Sequence, residues 1–303
     1  MNNKNINQRS ISFNDIFSQY SKAKRNIGIC LDHSYKCYFV KGTSSLELIN
    51  HFSRSKVNAS SEYGYIILES KVKLIGEALY FKDKNNTYLL FSQSDLVYKC
   101  LHKITKSYPI TVINDASKEY SLFTFHGKNA SAFFDRFKAK CLFKANHQGY
   151  KYYHMVAVKK DEVKTLNYYL EQDFVPISVE TKRIFLYNNK VITNFNNFSA
   201  VHKKELLAIK YPKLNKISNY SLELFECLDN ELIEKNTKIL NYARHNCGLV
   251  YNSFKIPNKK FPFVLGIVNT PNTSVLLIKK DGKEILIRKI YKNYEALWFI
   301  NCY

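Results

Sequence analysis

The hydrophobic pattern of the chain opens with a strand, a turn, a second strand and a helix. Residues 27–40 are rich in β-branched and aromatic side chains, and a polar turn interrupts them, which predicts two strands. Apolar residues at helical spacing follow through Phe52, and residues 111–137 repeat the whole order. The matching turn residues and glycines are Asp32, Ser34 and Gly42 in the first copy and Asp115, Ser117 and Gly127 in the second. The shared order predicts an internal duplication, although Asp-x-Ser alone is a common turn.

Further elements follow from the same analysis of spacing. Ser94 and Asp161 each precede a segment with apolar residues on one helical face, so we expect a helix after each. Residues 222–243 also have helical spacing, and a long helix is expected there. The Lys280-Asp281-Gly282 segment predicts a hairpin turn. The predicted strands outside the duplication are residues 63–68, 78–81, 88–91, 150–158, 264–268, 275–278 and 285–290.

These elements predict an α+β fold built from two α/β repeats and a C-terminal β module. The expected boundaries are residues 1–20 for a polar N-terminal arm, 21–108 for the first repeat, 109–254 for the second repeat with a helical extension, and 255–303 for the β module.

The chain is strongly basic, with a formal net charge of +21 over 303 residues. Such a charge favours an anionic partner such as RNA, a lipid surface or an acidic small molecule. The alternative is a lysine-rich, solvated surface without a partner. No run of five or more basic residues occurs, so the sequence predicts no basic tail.

Seven cysteines are scattered singly, and the N-terminal residues have no apolar segment typical of a signal peptide. We therefore expect a cytoplasmic protein with free thiols. No apolar stretch approaches eighteen residues, which predicts no membrane-spanning helix. The sequence contains no C-x-x-C pair, H-E-x-x-H, Gly-rich phosphate loop or G-x-S-x-G, which argues against zinc, nucleotide-binding and hydrolase sites of those types.

The tandem arrangement of strand, Asp-x-Ser, strand, Gly and helix, followed by a strand, a helix and a β tail, resembles the folate-binding aminomethyltransferase family. That family opens with a segment like valine-phenylalanine-Asp-x-Ser, which Ile29-Cys30-Leu31-Asp32-His33-Ser34 matches. Its Gly-x-x-Ala-x-x-x-Leu pattern matches the residues from Gly127 well and those from Gly42 loosely. The resemblance covers residues 20–187 in order.

The resemblance implies a duplicated α/β fold around a central cavity and tetrahydrofolate as the cofactor. Its members include the T-protein of glycine cleavage, tetrahydrofolate-dependent demethylases and folate-binding iron–sulfur assembly proteins. By this resemblance the chain is a one-carbon transferase that moves a methyl or aminomethyl unit from a small amine or thioether donor. No metal is expected.

Five site residues are implied by the resemblance. The family's Asn-Glu-x-Gly-Gly-x-x-Asp-Asp stretch corresponds to the segment from Glu69 to Glu77, so Glu77 takes the place of its catalytic carboxylate and Glu69 is a cofactor contact. Asp32, in the opening motif, is also expected near the cofactor. His147 stands where the family has an acid that contacts the pterin, and Arg183 retains the arginine of a Leu-Arg-x-Glu pattern.

Each of these residues also has a simpler interpretation. Apolar neighbours could desolvate Glu77 and raise its pKa, as suits a proton-handling group, but a solvated strand glutamate is the alternative. Arg183 could bind a folate carboxylate through two hydrogen bonds, or could form an ion pair with Glu180 on a helix surface. Asp32 is also a turn former, and His147 is also a plain loop histidine.

A second function class stays open beside the enzyme. The chain could be a non-catalytic descendant of the folate-binding fold that binds RNA or a protein partner through its basic surface. Thermal shifts with folates and with RNA would distinguish the two functions.

Overall fold

The structure is a computed structural model that describes most of the chain. The described residues are 13–54, 56–70, 73–83, 86–108, 110–134, 142–147, 150–191, 220–256, 259–269 and 273–290. Their contacts divide the chain into two compact units, the first ending at Phe185 and the second beginning at Leu186. The predicted repeats, divided between residues 108 and 109, therefore lie together in the first unit, and their boundary stays a prediction.

The first unit alternates short strands and helices. In chain order these are α1 (Phe13–Arg25), β1 (Gly28–Leu31), β2 (Lys36–Gly42), α2 (Ser45–Phe52), β3 (Tyr63–Ser70), β4 (Lys73–Asp83), β5 (Thr87–Ser92), α3 (Asp95–Ile104), β6 (Thr111–Asp115), β7 (Tyr120–His126), α4 (Ala130–Phe134), β8 (Leu142–His147), β9 (Tyr150–Val158), α5 (Glu162–Glu171), β10 (Val175–Pro176) and α6 (Val179–Asn188). The predicted strands and helices of this region are confirmed within a few residues at their ends.

The strands form two five-stranded sheets. Sheet A has the order β10-β1-β7-β9-β8, and sheet B has the order β3-β4-β5-β2-β6. All neighbours are antiparallel except β1 and β10, which are parallel. Because β1 joins sheet A while β2 joins sheet B, and β6 and β7 do the opposite, each sheet contains strands from both predicted repeats.

The predicted duplication is confirmed in the order of elements and in the conformation of the turns. In the first copy the Asp32 Oδ1 atom accepts a hydrogen bond from the Ser34 N–H at 3.1 Å. In the second, the Asp115 Oδ1 atom accepts one from the Ser117 N–H at 2.9 Å. The two glycines that end the second strands share a positive φ, 136° at Gly42 and 122° at Gly127. Residues with a side chain rarely adopt this conformation, so both copies require glycine here.

Each sheet carries helices on one face and meets the other sheet on its opposite face. In sheet B, residues such as Ile66 and Tyr80 pack with α2 and α3. In sheet A, Phe125 and Tyr153 pack with α4 and α5. A third apolar cluster joins the sheets face to face and includes Phe91 of sheet B and Leu122 and Val156 of sheet A. We call the space between the facing sheets the inter-sheet layer.

The predicted polar arm over residues 1–20 is wrong in its second half, because α1 begins at Phe13. Phe13, Ile16, Phe17 and Tyr20 fall at positions i, i+3, i+4 and i+7, which is helical spacing. Tyr20 is buried in the structure. The first part of the predicted arm lies outside the described residues.

The second unit contains a closed six-stranded barrel. Its strands are β11 (Ser221–Cys227), β12 (Lys238–Leu240), β13 (Asn246–Phe254), β14 (Phe263–Val268), β15 (Val275–Lys280) and β16 (Lys283–Lys289), in the order β11-β14-β13-β12-β15-β16. The three C-terminal strands are confirmed, as is the hairpin turn, where Asp281 and Gly282 both have a positive φ.

The predicted helix over residues 222–243 is wrong, because this segment supplies β11 and β12 of the barrel. Neighbouring residues of β11 are buried on both faces, from Leu222 through Phe225. Leu222 and Phe225 are three residues apart, as are Glu223 and Glu226, so the pattern fits a helix as well as a strand and the period alone does not separate them. The barrel thus takes in residues that were assigned to a helical extension.

No helix in the described parts of the chain is long and apolar enough to cross a membrane.

The thiols differ in burial, which predicts an order of chemical reactivity. Cys30, Cys37, Cys227 and Cys247 are buried, Cys100 is partly exposed, and none of these five thiols is in a disulfide bond. Burial raises the pKa of the Cys30 thiol to about 12, so it is not a thiolate at neutral pH. We expect Ellman's reagent to modify Cys100 in the native protein and the four buried thiols only after denaturant is added. Peptide mass spectrometry checks this, and rapid native labelling of Cys30 would contradict it.

Candidate functional site

The inter-sheet layer is apolar at one end and polar at the other. Strand register determines this division, because alternate residues of a strand share a face. In β7, Leu122 lies in the apolar part, while Thr124 and His126 follow it on the same face. In β9, Val156 is apolar, and His154 lies next on that face, opposite Thr124. The polar end of the layer is the candidate functional site.

Asp32 directly follows β1, where its backbone N–H donates a hydrogen bond to the Leu122 carbonyl oxygen at 2.8 Å, so it lies where the apolar and polar parts of the layer meet. It is 2% exposed and forms an ion pair with Lys182 of α6, which is 4% exposed. Its other carboxylate oxygen accepts hydrogen bonds from the backbone N–H and the hydroxyl group of Ser34, at 3.1 and 2.5 Å. Burial alone would raise the pKa of Asp32, but Lys182 and Ser34 outweigh burial and hold that pKa below its usual value.

The structure brings Lys182, and not Arg183, to Asp32. Ser178 precedes α6, where its hydroxyl oxygen accepts a hydrogen bond from the Thr181 N–H at 3.1 Å. Lys182 follows one turn after Ser178, on the buried side of the helix. Arg183 is the next residue and is exposed. A folate carboxylate could meet Arg183 only at the surface, and the predicted role of this arginine stays a prediction.

Glu77 lies on the inter-sheet face of β4 and is half-buried. Its backbone carbonyl oxygen accepts a hydrogen bond from the Ser92 hydroxyl at 2.7 Å, which fixes the strand at this point. Its carboxylate lies near the hydroxyl groups of Tyr35, Tyr65 and Tyr152. Burial raises the pKa of each of these tyrosines, and negative charge that includes Glu77 raises it further. The three tyrosines therefore keep their protons at neutral pH.

For Glu69 and His147 the structure describes only the backbone position in a strand. Glu69 lies opposite Leu74 of β4, next to a point where β4 has one residue more than β3 in the pairing. His147 ends β8 opposite Tyr150 of β9. The side chains of both lie outside the described part of the structure, so their predicted roles as cofactor contacts stay predictions.

Two histidines of the site were missed by the sequence analysis. His126 is fully buried, and its ring nitrogens lie 3.0 Å from the Tyr150 hydroxyl and 3.3 Å from that of Thr124. The pKa of His126 lies well below its usual value, chiefly because the ring is buried and secondly because of the nearby charge of Lys182. His154 Nε2 lies 2.9 Å from the Tyr65 hydroxyl.

Flat rings are stacked beside these histidines. The His126 ring is within 11° of parallel to Tyr152 and 17° to Tyr150, with centroids 5.5 and 6.2 Å apart. Phe185 lies at 5.9 Å and 22° from the same ring. The alternation of Thr124 and His126 in β7, and of Tyr150, Tyr152 and His154 in β9, was the sequence signal for this row of polar and aromatic groups.

Among the residues whose placement is described, no group of three or more His, Cys, Asp and Glu side chains is arranged to hold a metal ion.

Two facing sheets followed by a six-stranded barrel define a structural class, the aminomethyltransferase fold. The structure is similar to the crystal structure of glycine cleavage system aminomethyltransferase T from Bartonella henselae, with a TM-score of 0.68 and 11% sequence identity. The match covers 92% of this chain and 89% of that chain. The chain has this fold, which confirms the fold expected from the resemblance.

A weaker likeness is to heterotetrameric sarcosine oxidase from Corynebacterium sp. U-96 in complex with pyrrole 2-carboxylate. Its TM-score is 0.35 at 9% identity, and it covers 53% of this chain and 91% of that chain. The sequence itself matches no protein-family model and no curated protein.

Proposed function

We propose that this protein is a tetrahydrofolate-dependent one-carbon transferase that acts on a small amine or thioether donor. The observation that supports the proposal is the position of Glu77, half-buried between the sheets and near three tyrosine hydroxyl groups. A carboxylate enclosed between two sheets can accept a proton from a bound substrate, as the exchange of a one-carbon unit between nitrogen atoms requires.

The chemistry of these side chains fits a reduced folate. A flat pterin ring can extend the near-parallel stack of Tyr150, His126 and Tyr152. Lys182 and Ser34 already bond to both carboxylate oxygens of Asp32, so we assign Asp32 a place beside the folate and not the N–H edge of its ring. We assign the N–H edge of the pterin to Glu69 and His147, and the carboxylates of the folate tail to the exposed Arg183.

When bound, the folate would supply the nitrogen that accepts the one-carbon unit. The protein's own part is to bind the reactants in contact and to manage protons. Glu77 would take the proton that the accepting nitrogen loses. The sheet-on-sheet packing around Phe91 and Leu122 would keep water from the apolar side of the layer. We place this activity in the cytoplasm, where free thiols such as Cys30 remain reduced.

Glu77→Gln is expected to lower kcat about a hundredfold, because loss of a proton-handling group typically has an effect of this size. The affinity for tetrahydrofolate should stay within a few fold, since the ring stack and the tail contacts are unchanged. Steady-state kinetics with amine and thioether donors, together with folate binding by calorimetry, measure both quantities.

The matched control is Glu47→Gln, which makes the same change at an exposed position of α2 and should leave both quantities unchanged. Equal turnover in Glu77→Gln and wild type would exclude the assigned role of Glu77. Absence of any folate binding by the wild type would overturn the proposed function itself.

A second candidate function is binding of RNA without catalysis. The last turn of α1 supports it, because Lys22, Lys24 and Arg25 are exposed there together. The closed Asp32–Lys182 pair supports it too, because these two charges neutralise each other inside the protein. A thermal shift with single-stranded RNA that falls with added salt, and none with tetrahydrofolate, would favour this second function.

A further inference from the structure

The outer face of the barrel carries a row of leucines. In β16, Glu284, Leu286 and Arg288 are exposed and the residues between them are buried in the barrel core, so these three face outward. Leu228 extends the pairing of β11 by one residue, and its backbone N–H donates a hydrogen bond to the Leu286 carbonyl oxygen at 2.9 Å. Leu277 of β15 lies opposite Leu286 on the other side. We call Leu228, Leu286 and Leu277 the leucine stripe.

The leucine stripe is open to solvent at two of its three positions. Leu286 is 42% exposed and Leu228 is 37% exposed, whereas Leu277 is buried at the end of the row. Earlier in β11, Leu222 and Leu224 lie on the same outer face as Leu228, and both are buried. The outer face of the barrel is therefore covered at one end of β11 and open at the other, and neighbouring exposed leucines are typical of a surface that another molecule covers.

Charged side chains of both signs flank the leucine stripe. On one side Arg288 forms an ion pair with Glu226, which lies opposite it in β11. On the other side Glu284 lies 2.9 Å from Arg244 and opposite Lys279 of β15. Three basic and two acidic groups nearly cancel here, whereas the whole chain carries a net charge of +21. Two copies of so basic a chain repel each other, and a nearly neutral surface is where they can approach.

The order of outward side chains along β16 is self-complementary. A two-fold axis along the leucine stripe would place a second copy face to face with the first, with its β16 antiparallel. Leu286 would then meet Leu286, and Arg288 of each copy would face Glu284 of the other. A guanidinium group has five N–H donors, so Arg288 can bond to this second carboxylate and keep its ion pair with Glu226.

We propose that the leucine stripe is an interface between two copies of this chain, related by a two-fold axis, with Leu286 at its centre. The surface belongs to the barrel, and the proposal does not depend on the one-carbon transfer. Two exposed leucines and their charged neighbours cover less than a standard interface of about 1,600 Å². We therefore expect a reversible dimer that dissociates on dilution, with a Kd on the order of 10 µM.

The first test is sedimentation of the full chain at concentrations below and above that Kd. The mass of the wild type should rise from that of one chain toward that of two. Leu286→Glu should raise the Kd at least about a hundredfold, because two carboxylates then face each other at the centre of the interface. Leu96→Glu is the matched control, since it makes the same change at a leucine of α3 that is 47% exposed, and it should leave the Kd unchanged.

The second test uses charge reversal to check the two-fold arrangement. Arg288→Glu and Glu284→Arg each bring like charges together in their own dimers, so each variant alone should sediment as one chain. In an equal mixture, the new glutamate of one variant faces the new arginine of the other, and the original pair faces itself as before. The mixture should therefore form dimers that contain one copy of each variant. Circular dichroism checks that both variants are folded.

Two outcomes would overturn the interface. One is a wild type that sediments as a single chain at every concentration, and the leucine stripe would then belong to a partner of another kind. The other is dimerisation of Leu286→Glu with the Kd of the wild type. If the wild type dimerises and the mixture of Arg288→Glu with Glu284→Arg does not, the proposed two-fold arrangement is wrong.

Discussion

Lys182→Met is expected to lower the free energy of unfolding by about 3–5 kcal/mol, because it leaves the Asp32 carboxylate buried without its partner. Removing one partner of a buried ion pair removes the attraction between the two charges. The remaining charge is still kept away from water, and that cost in free energy stays. In the variant, the hydrogen bonds that Asp32 keeps from Ser34 bring no compensating charge. Urea unfolding followed by circular dichroism measures the difference.

Arg183→Met provides the control, because the neighbouring residue is exposed and its loss should change stability by less than about 0.5 kcal/mol. The double variant Asp32→Asn with Lys182→Met should recover part of the loss, since no charge then remains buried. Equal stabilities of Lys182→Met and Arg183→Met would show that the ion pair does not form in solution.

The same pair gives the protein an acid-sensitive stability. Since the pKa of Asp32 is lower in the folded state than in the unfolded chain, its contribution is fully present above the unfolded value of about 3.9 and is lost as the pH falls through the folded value. In Lys182→Met this stabilising contribution is absent. Unfolding free energies of the two proteins should therefore converge below about pH 3.9.

Gly42→Ala is expected to destabilise the protein by about 3 kcal/mol or more, because strain and a collision add together. A Cβ atom at this position would lie 1.8 Å from the carbonyl oxygen of Ile110, and backbone at that distance cannot yield as a side chain does. The φ of 136° is itself unfavourable for any residue with a side chain. Gly127→Ala should behave in the same way, since its Cβ would lie 2.5 Å from the Asn26 carbonyl oxygen.

Gly282→Ala separates the two effects. Gly282 also has a positive φ, of 82°, but no atom lies within 4 Å of the place that a Cβ atom would take, so only strain remains. We expect a loss of about 1 kcal/mol there. Thermal unfolding of the three variants gives the order, and a smaller loss in Gly42→Ala than in Gly282→Ala would contradict the predicted collision.

The duplicated part of the fold could be predicted from the sequence because its signals are local. Asp32 and Asp115 each bond to a residue two positions along, and Gly42 and Gly127 mark backbone conformations that other residues avoid. The barrel could not be predicted in the same way. Its β11 is buried on both faces, and its glutamates, Glu223 and Glu226, are three residues apart, which fits a helix as well. Only the pairing with β14 and β16 makes this segment a strand.

The candidate site could be predicted only in part. The resemblance points to Asp32 and Glu77. Asp32 lies beside Leu122 where the apolar and polar parts of the inter-sheet layer meet, and Glu77 is half-buried, while their roles stay predictions. The resemblance points to Arg183 and not to Lys182, because the sequence pattern does not show which side of α6 faces the core. Most of α6 is buried, including the adjacent Thr181 and Lys182, so its spacing does not reveal that Arg183 is the exposed position.

Tyr150, which contacts His126, lies on the neighbouring strand, and Tyr65, which contacts His154, lies on the other sheet. A single strand does not show which polar residues will face each other.

The exchange of strands between the two sheets has a consequence for synthesis of the chain. When β2 has been made, each sheet holds one strand, and sheet A gains its second only with β7. Sheet B is complete only after β6 has been synthesised, and the last strand of sheet A, β10, ends at Pro176. Neither sheet can therefore be completed by the first repeat alone, and that repeat leaves the ribosome with unpaired strand edges. Contacts of such long sequence separation make folding slow, which gives chaperones a defined interval in which to act.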